Sequence, residues 1–404
     1  MARPERRKRA DLIAVAVIVL VVLAASLALW QRSDVHATES DTAAPAKAEP
    51  AAAVVPPDLH EVWSAPSAAT PRPTVAGPAA ITGEGNQVQG RDPVTGQVRW
   101  SYTRDLPLCT VGSAWGRALA AYGKAHNCSE VTSLFGSTGH RGPSRNSDTD
   151  FGTQLLDDGR YVTATGHDII ETWRPDLVRT QQYGVPTDIK NPHNNIKRPE
   201  CRYSSVAVGQ GRVAVTEQCP GIPVDRLTLL KAHPKSDEKP QEIMSVQVPS
   251  GQASAVATDE HHTAVLLRDR GELQVWDDNT HEISGTFPVP ASAPPPRGRP
   301  DGTANERTIR GPRIYWYTDG TVVALDRATL NPLWTIPDAL GPGTGFGGKL
   351  IVPVRGGLAV HDPNTGVRER VTPVDRHGYA GPVDLNATGA TVLEQRGPTL
   401  VALR

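Results

Sequence analysis

One short stretch, Gly90-Arg91-Asp92-Pro93-Val94-Thr95-Gly96-Gln97-Val98-Arg99-Trp100, constrains the fold more than any other, because it recurs down the chain. Asp92, Pro93, Thr95 and Gly96 are turn formers: proline presets φ, and glycine accepts φ > 0 without steric cost. Gln97 to Trp100 alternates outward and inward side chains and closes on a large aromatic, a strand pattern. Ala324-Leu325-Asp326-Arg327-Ala328-Thr329-Leu330-Asn331-Pro332-Leu333-Trp334 keeps the Asp, Thr and Trp in register. Val360-His361-Asp362-Pro363-Asn364-Thr365-Gly366 repeats the turn with Arg370 in the Trp slot, and Val275-Trp276-Asp277-Asp278-Asn279-Thr280 is a fourth copy. Glu171–Leu177 and Ser133–Gly139 are degraded copies.

Positions equivalent to Asp92 fall at 92, 135, 173, 230, 277, 326, 362 and 404, a spacing of about 45 residues. A four-stranded propeller blade has that size, ~40–50 residues. Hairpin patterns precede most copies, as in Val206-Ala207-Val208 with Val213-Ala214-Val215. The 37 Gly and 36 Pro punctuate the chain too often for long helices, which favours an all-β fold. Thr399–Arg404 is a strand pattern with nothing after it, while His60-Glu61-Val62-Trp63-Ser64 is a strand with a Trp but no turn before it. The two are complementary: His60–Ser64 is expected to supply the outer strand of the last blade and close the ring, removing exposed edges. The expectation is an all-β, eight-bladed β-propeller of four-stranded antiparallel blades. Seven blades is the alternative, since the first copy, 74–103, is short.

Ahead of the repeats lie three further segments. Residues 1–11 are a basic tail with Arg3, Arg6, Arg7, Lys8 and Arg9. Residues 12–30 carry no charge and nearly span a ~30 Å hydrocarbon core as helix. The basic side should stay cytoplasmic, which puts the rest outside. The run exceeds the ~7–15 residues of a signal-peptide core, so an uncleaved single-pass anchor is expected over a cleaved signal. Residues 31–57, rich in Ala and Pro, have few large apolar side chains and read as a disordered linker. Residues 58–404 form the extracytoplasmic propeller.

The spacing Ala-x-Asp-x-x-Thr-Gly-x-x-x-Trp resembles the tryptophan-docking motif of PQQ-like (quinoprotein alcohol dehydrogenase-like) β-propellers. Gly90–Trp100 matches with Gly in the Ala slot, and Ala324–Trp334 matches with Leu330 in the Gly slot. The resemblance covers roughly 58–404. It implies one of two roles. Enzymes of the family bind pyrroloquinoline quinone and calcium, whereas relatives that lost the cofactor are binding scaffolds, including envelope-assembly lipoproteins. The enzymes carry two adjacent cysteines near the cofactor, and this chain has no adjacent pair. No Glu, Asn and Asp set falls on motif positions as calcium ligands. No catalytic, cofactor-binding or metal residue is therefore carried over.

The four cysteines are Cys109, Cys128, Cys201 and Cys219. An even number in an exported domain points to disulfides, with three pairings possible. A hairpin turning at Gly209-Gln210-Gly211 would set Cys201 opposite Cys219, and Cys109 and Cys128 flank a hairpin around Trp115-Gly116-Arg117. A four-cysteine metal site is disfavoured, because no Cys-x-x-Cys occurs.

The 42 basic and 43 acidic residues argue against nucleic acid, which requires a basic stripe. Gly343–Leu350 fits Gly-x-Gly-x-x-Gly spacing, but a strand pattern follows where a phosphate site needs a helix. His261-His262, Asp277-Asp278-Asn279 and Asp157-Asp158-Gly159 read as turns whose acids cap backbone amides. The best contact candidate is the loop containing His193, Asn194, Asn195, Lys197 and Arg198, since rim loops commonly carry binding. The functional expectation is a non-enzymatic, membrane-anchored scaffold that holds an envelope protein or a cell-wall component, without cofactor. A quinone-dependent dehydrogenase and a small-molecule sensor using the central channel are the alternatives.

Overall fold

A computed structural model describes residues 8–33, 35–186, 197–237, 239–291 and 307–404. One helix, Arg9–Gln31, covers the expected apolar run and extends it by three residues at its start. Its only acid, Asp11, accepts from the Lys8 amide at 2.8 Å and caps the first turn. None of its side chains is buried by protein, and its length and apolar composition suit a membrane anchor or a signal sequence.

Eight antiparallel sheets follow, and the ring is eight-bladed. Blade 1 occupies 74–103, and blades 2 to 7 occupy 108–146, 155–184, 202–247, 253–288, 307–336 and 344–373. Blade 8 joins Val383–Thr388, Thr391–Arg396 and Thr399–Leu403 to the early strand Glu61–Pro66. The first strands of most neighbouring blades touch one another, which places them around the axis. Closure follows the expected register: Trp63 lies opposite Ala402 and Ser64 opposite Val401. His60 and Arg404 exchange backbone hydrogen bonds of 2.8 and 2.9 Å.

The repeated turn has one geometry. Asp92 N donates to Gln97 O, and Gly96 N donates back to Asp92 O. The same pair of bonds recurs from Phe135, Asp277, Asp326 and Asp362. Each of the four aspartates also accepts two backbone amides on one carboxylate oxygen at 2.8–3.0 Å. In blade 3 the turn sits one residue later than the expected 173, on Arg174, and is one residue shorter. In blade 4 a longer loop, closed by Lys231 N to Gln241 O, replaces it.

The tryptophans do not pack on the turn of their own copy. Trp63 donates to Pro93 O, Trp100 to Gly136 O and Trp334 to Asn364 O, each at 2.9 Å. Each therefore ties the outer strand of one blade to the turn of the next. Glycine is required beneath them for two reasons. Gly96, Gly139 and Gly366 sit at φ of +71 to +76°, and a Cβ there would lie 2.5–2.6 Å from the docked side chain.

Residues 31–57 differ from the sequence expectation of a free linker. Glu39–Asp41 adds a fifth strand to blade 1, with Glu39 opposite Thr103 and Asp41 opposite Ser101. Beyond it the chain runs as a strap over turns of several blades. Ala43 N donates to Thr138 O and Ala52 N to Gly389 O, Glu49 pairs with Arg404 at 3.0 Å, and Arg370 donates to Val55 O at 2.6 Å. Val55 and Leu59 are buried in the core cluster shared by blades 7 and 8. Low hydrophobicity could not forecast this, because most of the strap is held by backbone groups and arginines, with Val55 its one side chain in that core cluster. The glycine-rich stretch at 343–350 finds its reason here. Gly347 and Gly348 form a hairpin turn, and a Cβ on Gly347 would meet Val54 at 2.4 Å.

Candidate functional site

The described end of the expected contact loop turns inward. Arg198 donates through Nε to Glu217 Oε2 at 2.6 Å and through Nη2 to Glu242 Oε1 and the Tyr183 hydroxyl, both at 2.8 Å. Tyr183 in turn donates to Glu217 Oε1 at 2.5 Å. Burial, helped by Glu217, pushes the Tyr183 phenol well above its ordinary range, so it stays a donor. Lys197, largely exposed, reaches Glu242 Oε2 at 2.8 Å. Of the expected contact residues, His193, Asn194 and Asn195 lie outside the described residues.

Both cysteine pairs with a hairpin rationale form disulfides. Cys201–Cys219 closes across the hairpin that turns at Gln210 and Gly211, with Cα atoms 4.2 Å apart. Cys109–Cys128, at 6.2 Å, differs from the single hairpin expected. Cys109 bulges out of the first strand of blade 2, and Cys128 lies in the third. The bridge passes the middle strand beside Gly123, where a Cβ would stand only 3.4 Å from the Cys109 sulfur. Cys201, Cys219 and Glu217 bring three ligand-type atoms within 4.8 Å, but the two sulfurs are bonded to each other and Glu217 is held by Arg198. Each bridge closes a loop of 18 or 19 residues. On the chain-entropy model this contributes ~3 kcal/mol each. Reducing agent is therefore expected to lower the melting temperature. Peptide mapping that linked Cys128 to Cys201 would overturn the pairing.

Other buried charges also bind blade to blade. Glu171, fully buried in blade 3, lies 3.5 Å from both Arg145 of blade 2 and Arg179. Arg376 donates to Val354 O and Gly357 O of blade 7 while pairing with buried Glu394 of blade 8 at 2.8 Å. Asp278 of blade 5 faces Arg212 of blade 4 at 3.3 Å and accepts from Thr263 at 2.9 Å. Burial nevertheless dominates and raises the Asp278 carboxyl to about 6. Between pH ~4 and ~6 the folded state then holds the proton more tightly than the unfolded chain, so this group's contribution falls as pH rises through that window. The turn aspartates have the opposite sign, and their backbone hydrogen bonds are lost on protonation at lower pH. Asp278→Asn is expected to gain stability relative to the parent chain between pH 4.5 and 7.5. Parallel melting curves for the two chains across that range would refute this.

A cleft of about 850 Å³ opens between the outer strand of blade 6 and blade 7. Its lining includes Ile336, Leu340 and Val371 beside Asp338, Arg355 and Arg368. His361, also in the lining, is 4% exposed. Its Nδ1 lies 2.9 Å from Gly366 O, under the docked Trp334. A carbonyl only accepts, so Nδ1 carries the hydrogen and Nε2 is left with its lone pair. Burial lowers the imidazole's affinity for a second proton, keeping that lone pair free. Nε2 has no hydrogen-bond partner among the described residues. Sequence reasoning passed over His361 as one more turn-flanking residue. Its slot before the turn holds Leu134, Trp276 and Leu325 in three other copies and Arg91 in the first, so the pattern alone did not single it out.

Arg72, just before blade 1, donates to Thr308 O of blade 6 at 3.3 Å. This links non-neighbouring blades across the axis.

No family model and no curated protein sequence matches the chain. Solved structures do. The computationally designed Ika8 protein is 13% identical with a TM-score of 0.55, covering 85% of this chain and 98% of its own. Sqt1 of Saccharomyces cerevisiae is 11% identical with a TM-score of 0.50, covering 87% and 98%. At these identities the likeness is one of fold.

Proposed function

We propose that the protein is a membrane-anchored extracytoplasmic binding scaffold, a cofactor-free relative of the quinoprotein-like propellers. It holds an envelope protein or a cell-wall component. The observation that carries this reading is where the buried ionisable groups are used. Glu171, Glu217 and Glu394 each face an arginine, and those contacts join strands and blades. Carboxylates held in this way by buried partners are poorly placed to exchange protons with a substrate. The apolar helix and the two disulfides support an anchored domain in an oxidising compartment.

Photo-crosslinking of the full chain in intact cells, followed by mass spectrometry, is expected to return a reproducible neighbour on the outer side. Adding pyrroloquinoline quinone with calcium is the counter-test. Stoichiometric binding with dye-linked alcohol oxidation would overturn the scaffold reading in favour of a dehydrogenase.

A further inference from the structure

We propose that the cleft between blades 6 and 7 binds an anionic saccharide, meaning a ligand with hydroxyls and a carboxylate or phosphate. The proposal deepens the scaffold reading and rests on it only in treating the ligand as held rather than transformed.

Three observations converge. The first is His361 of the lining, whose Nε2 is a buried acceptor without a partner among the described residues, so that a donor entering the cleft satisfies it once the atoms covering it give way. A hydroxyl supplies one, whereas a bare carboxylate or phosphate only accepts. The second is charge. Arg145, Arg179, Arg198, Arg212, Arg376 and Arg396 all pair with carboxylates. The side chains of Arg355 and Arg368, which line this cleft, have no hydrogen bond or ion pair among the described residues, although Arg368 is paired through its strand opposite His361. Unpaired guanidinium forks at a concave surface match carboxylate or phosphate oxygens. Asp338, the acid of the lining, suits a second hydroxyl as an acceptor.

The third observation concerns shape. The cleft is the size of small-molecule sites, ~300–1,000 Å³, and Ile336, Leu340 and Val371 give an apolar wall for the C–H faces of a sugar ring. A peptide could offer N–H donors and carboxylates too, and would bind most simply by adding to the outer strand Arg368–Pro373. The strap meets the side chains of that strand on its blade 8 face, where Arg370 donates to Val55 O and Thr372 donates to Pro56 O at 3.4 Å, whereas the cleft opens on the blade 6 face. The concave shape and the two free guanidiniums favour a compact hydroxylated ligand, and an added strand is the competing outcome that the acidic peptide tests.

The test titrates the full chain in detergent micelles with digalacturonate, glucose 6-phosphate, a neutral disaccharide and an acidic peptide, read by calorimetry and ligand-observed NMR. At least one of the two anionic sugars is expected to bind saturably with a Kd near ~0.1 mM, and which one binds distinguishes carboxylate from phosphate. Arg355→Ala with Arg368→Ala is expected to weaken binding about 10-fold or more. Both side chains are exposed, so the melting temperature should hold. His361→Asn keeps a donor for Gly366 O but removes the buried acceptor, and should weaken binding several-fold. Equal binding of the neutral disaccharide, tighter binding of the peptide, no binding by any probe at 10 mM (about 100 times the expected Kd), or an unaffected arginine variant would each overturn the site. Recovery of a crosslinked neighbour in those cases would leave the scaffold reading standing. Quinone turnover would sink that reading and spare the cleft.

Discussion

A chain beginning at residue 67 is expected to lose cooperative folding, whereas one beginning at residue 35 keeps it. The early strand Glu61–Pro66 is the outer strand of blade 8 and carries Trp63, which hydrogen-bonds the turn of blade 1. Removing it exposes Thr399–Leu403 as an unpaired edge, an aggregation-prone template. It also removes Leu59 and Ala65, both buried, and opens the core shared with blade 7. Each large apolar side chain returned to water costs ~1.5–3 kcal/mol, and the paired backbone adds to that. The sum reaches the ~5–15 kcal/mol that holds a typical domain together. A chain beginning at residue 58 is an informative intermediate. It lacks the strap but retains closure, so it should melt cooperatively at a lower temperature. Calorimetry of the three chains decides the matter. A sharp transition for the shortest chain at the full chain's temperature would show that the ring does not depend on this strand.

Glu394→Ala is expected to destabilise the protein by about 3–5 kcal/mol, the cost of breaking a buried ion pair from one side. Glu394 is fully buried between Arg376, at 2.8 Å, and Arg396, at 2.7 Å, whose side chains are only 5–6% exposed. Its removal leaves Arg376 without a carboxylate partner and Arg396 with only Glu61, at 3.3 Å. Arg376 also loses its orientation toward the carbonyls of Val354 and Gly357, through which it staples blade 7 to blade 8. A triple change, Arg376→Met with Glu394→Leu and Arg396→Met, removes all three charges and should cost less than the single one. Denaturant unfolding of both variants supplies the comparison. If the triple change is the more damaging, the charges contribute net stability beyond satisfying one another.

The turn positions were readable from spacing, since aspartate, threonine and glycine act through their own neighbours in the chain. Asp92, Asp277, Asp326 and Asp362 accordingly adopt the same capped turn. Registers slipped where the local chemistry weakened: Arg174 replaces the acid in blade 3, and a longer loop replaces the turn in blade 4. The Cys201–Cys219 bridge was legible from a symmetric hairpin. Cys109–Cys128 spans two turns, and its route past Gly123 has no signature in spacing.

The sequence alone therefore determined what short-range chemistry determines, namely the apolar helix, the repeated turn and the blade length, and the complementary strand patterns of its two ends also made ring closure legible. Tertiary structure decided the remaining contacts between distant residues. It showed that each docked tryptophan serves the next blade's turn rather than its own. It showed that a polar-looking linker is a strap held by Arg370 and Arg404, and that Arg198 is committed inward to Glu217. It also showed that His361 is buried with one nitrogen unpartnered in a cleft. The reason is physical: a turn is stabilised by residues two to five apart, whereas a partner's charge or a neighbouring surface carries no mark in the segment that meets it.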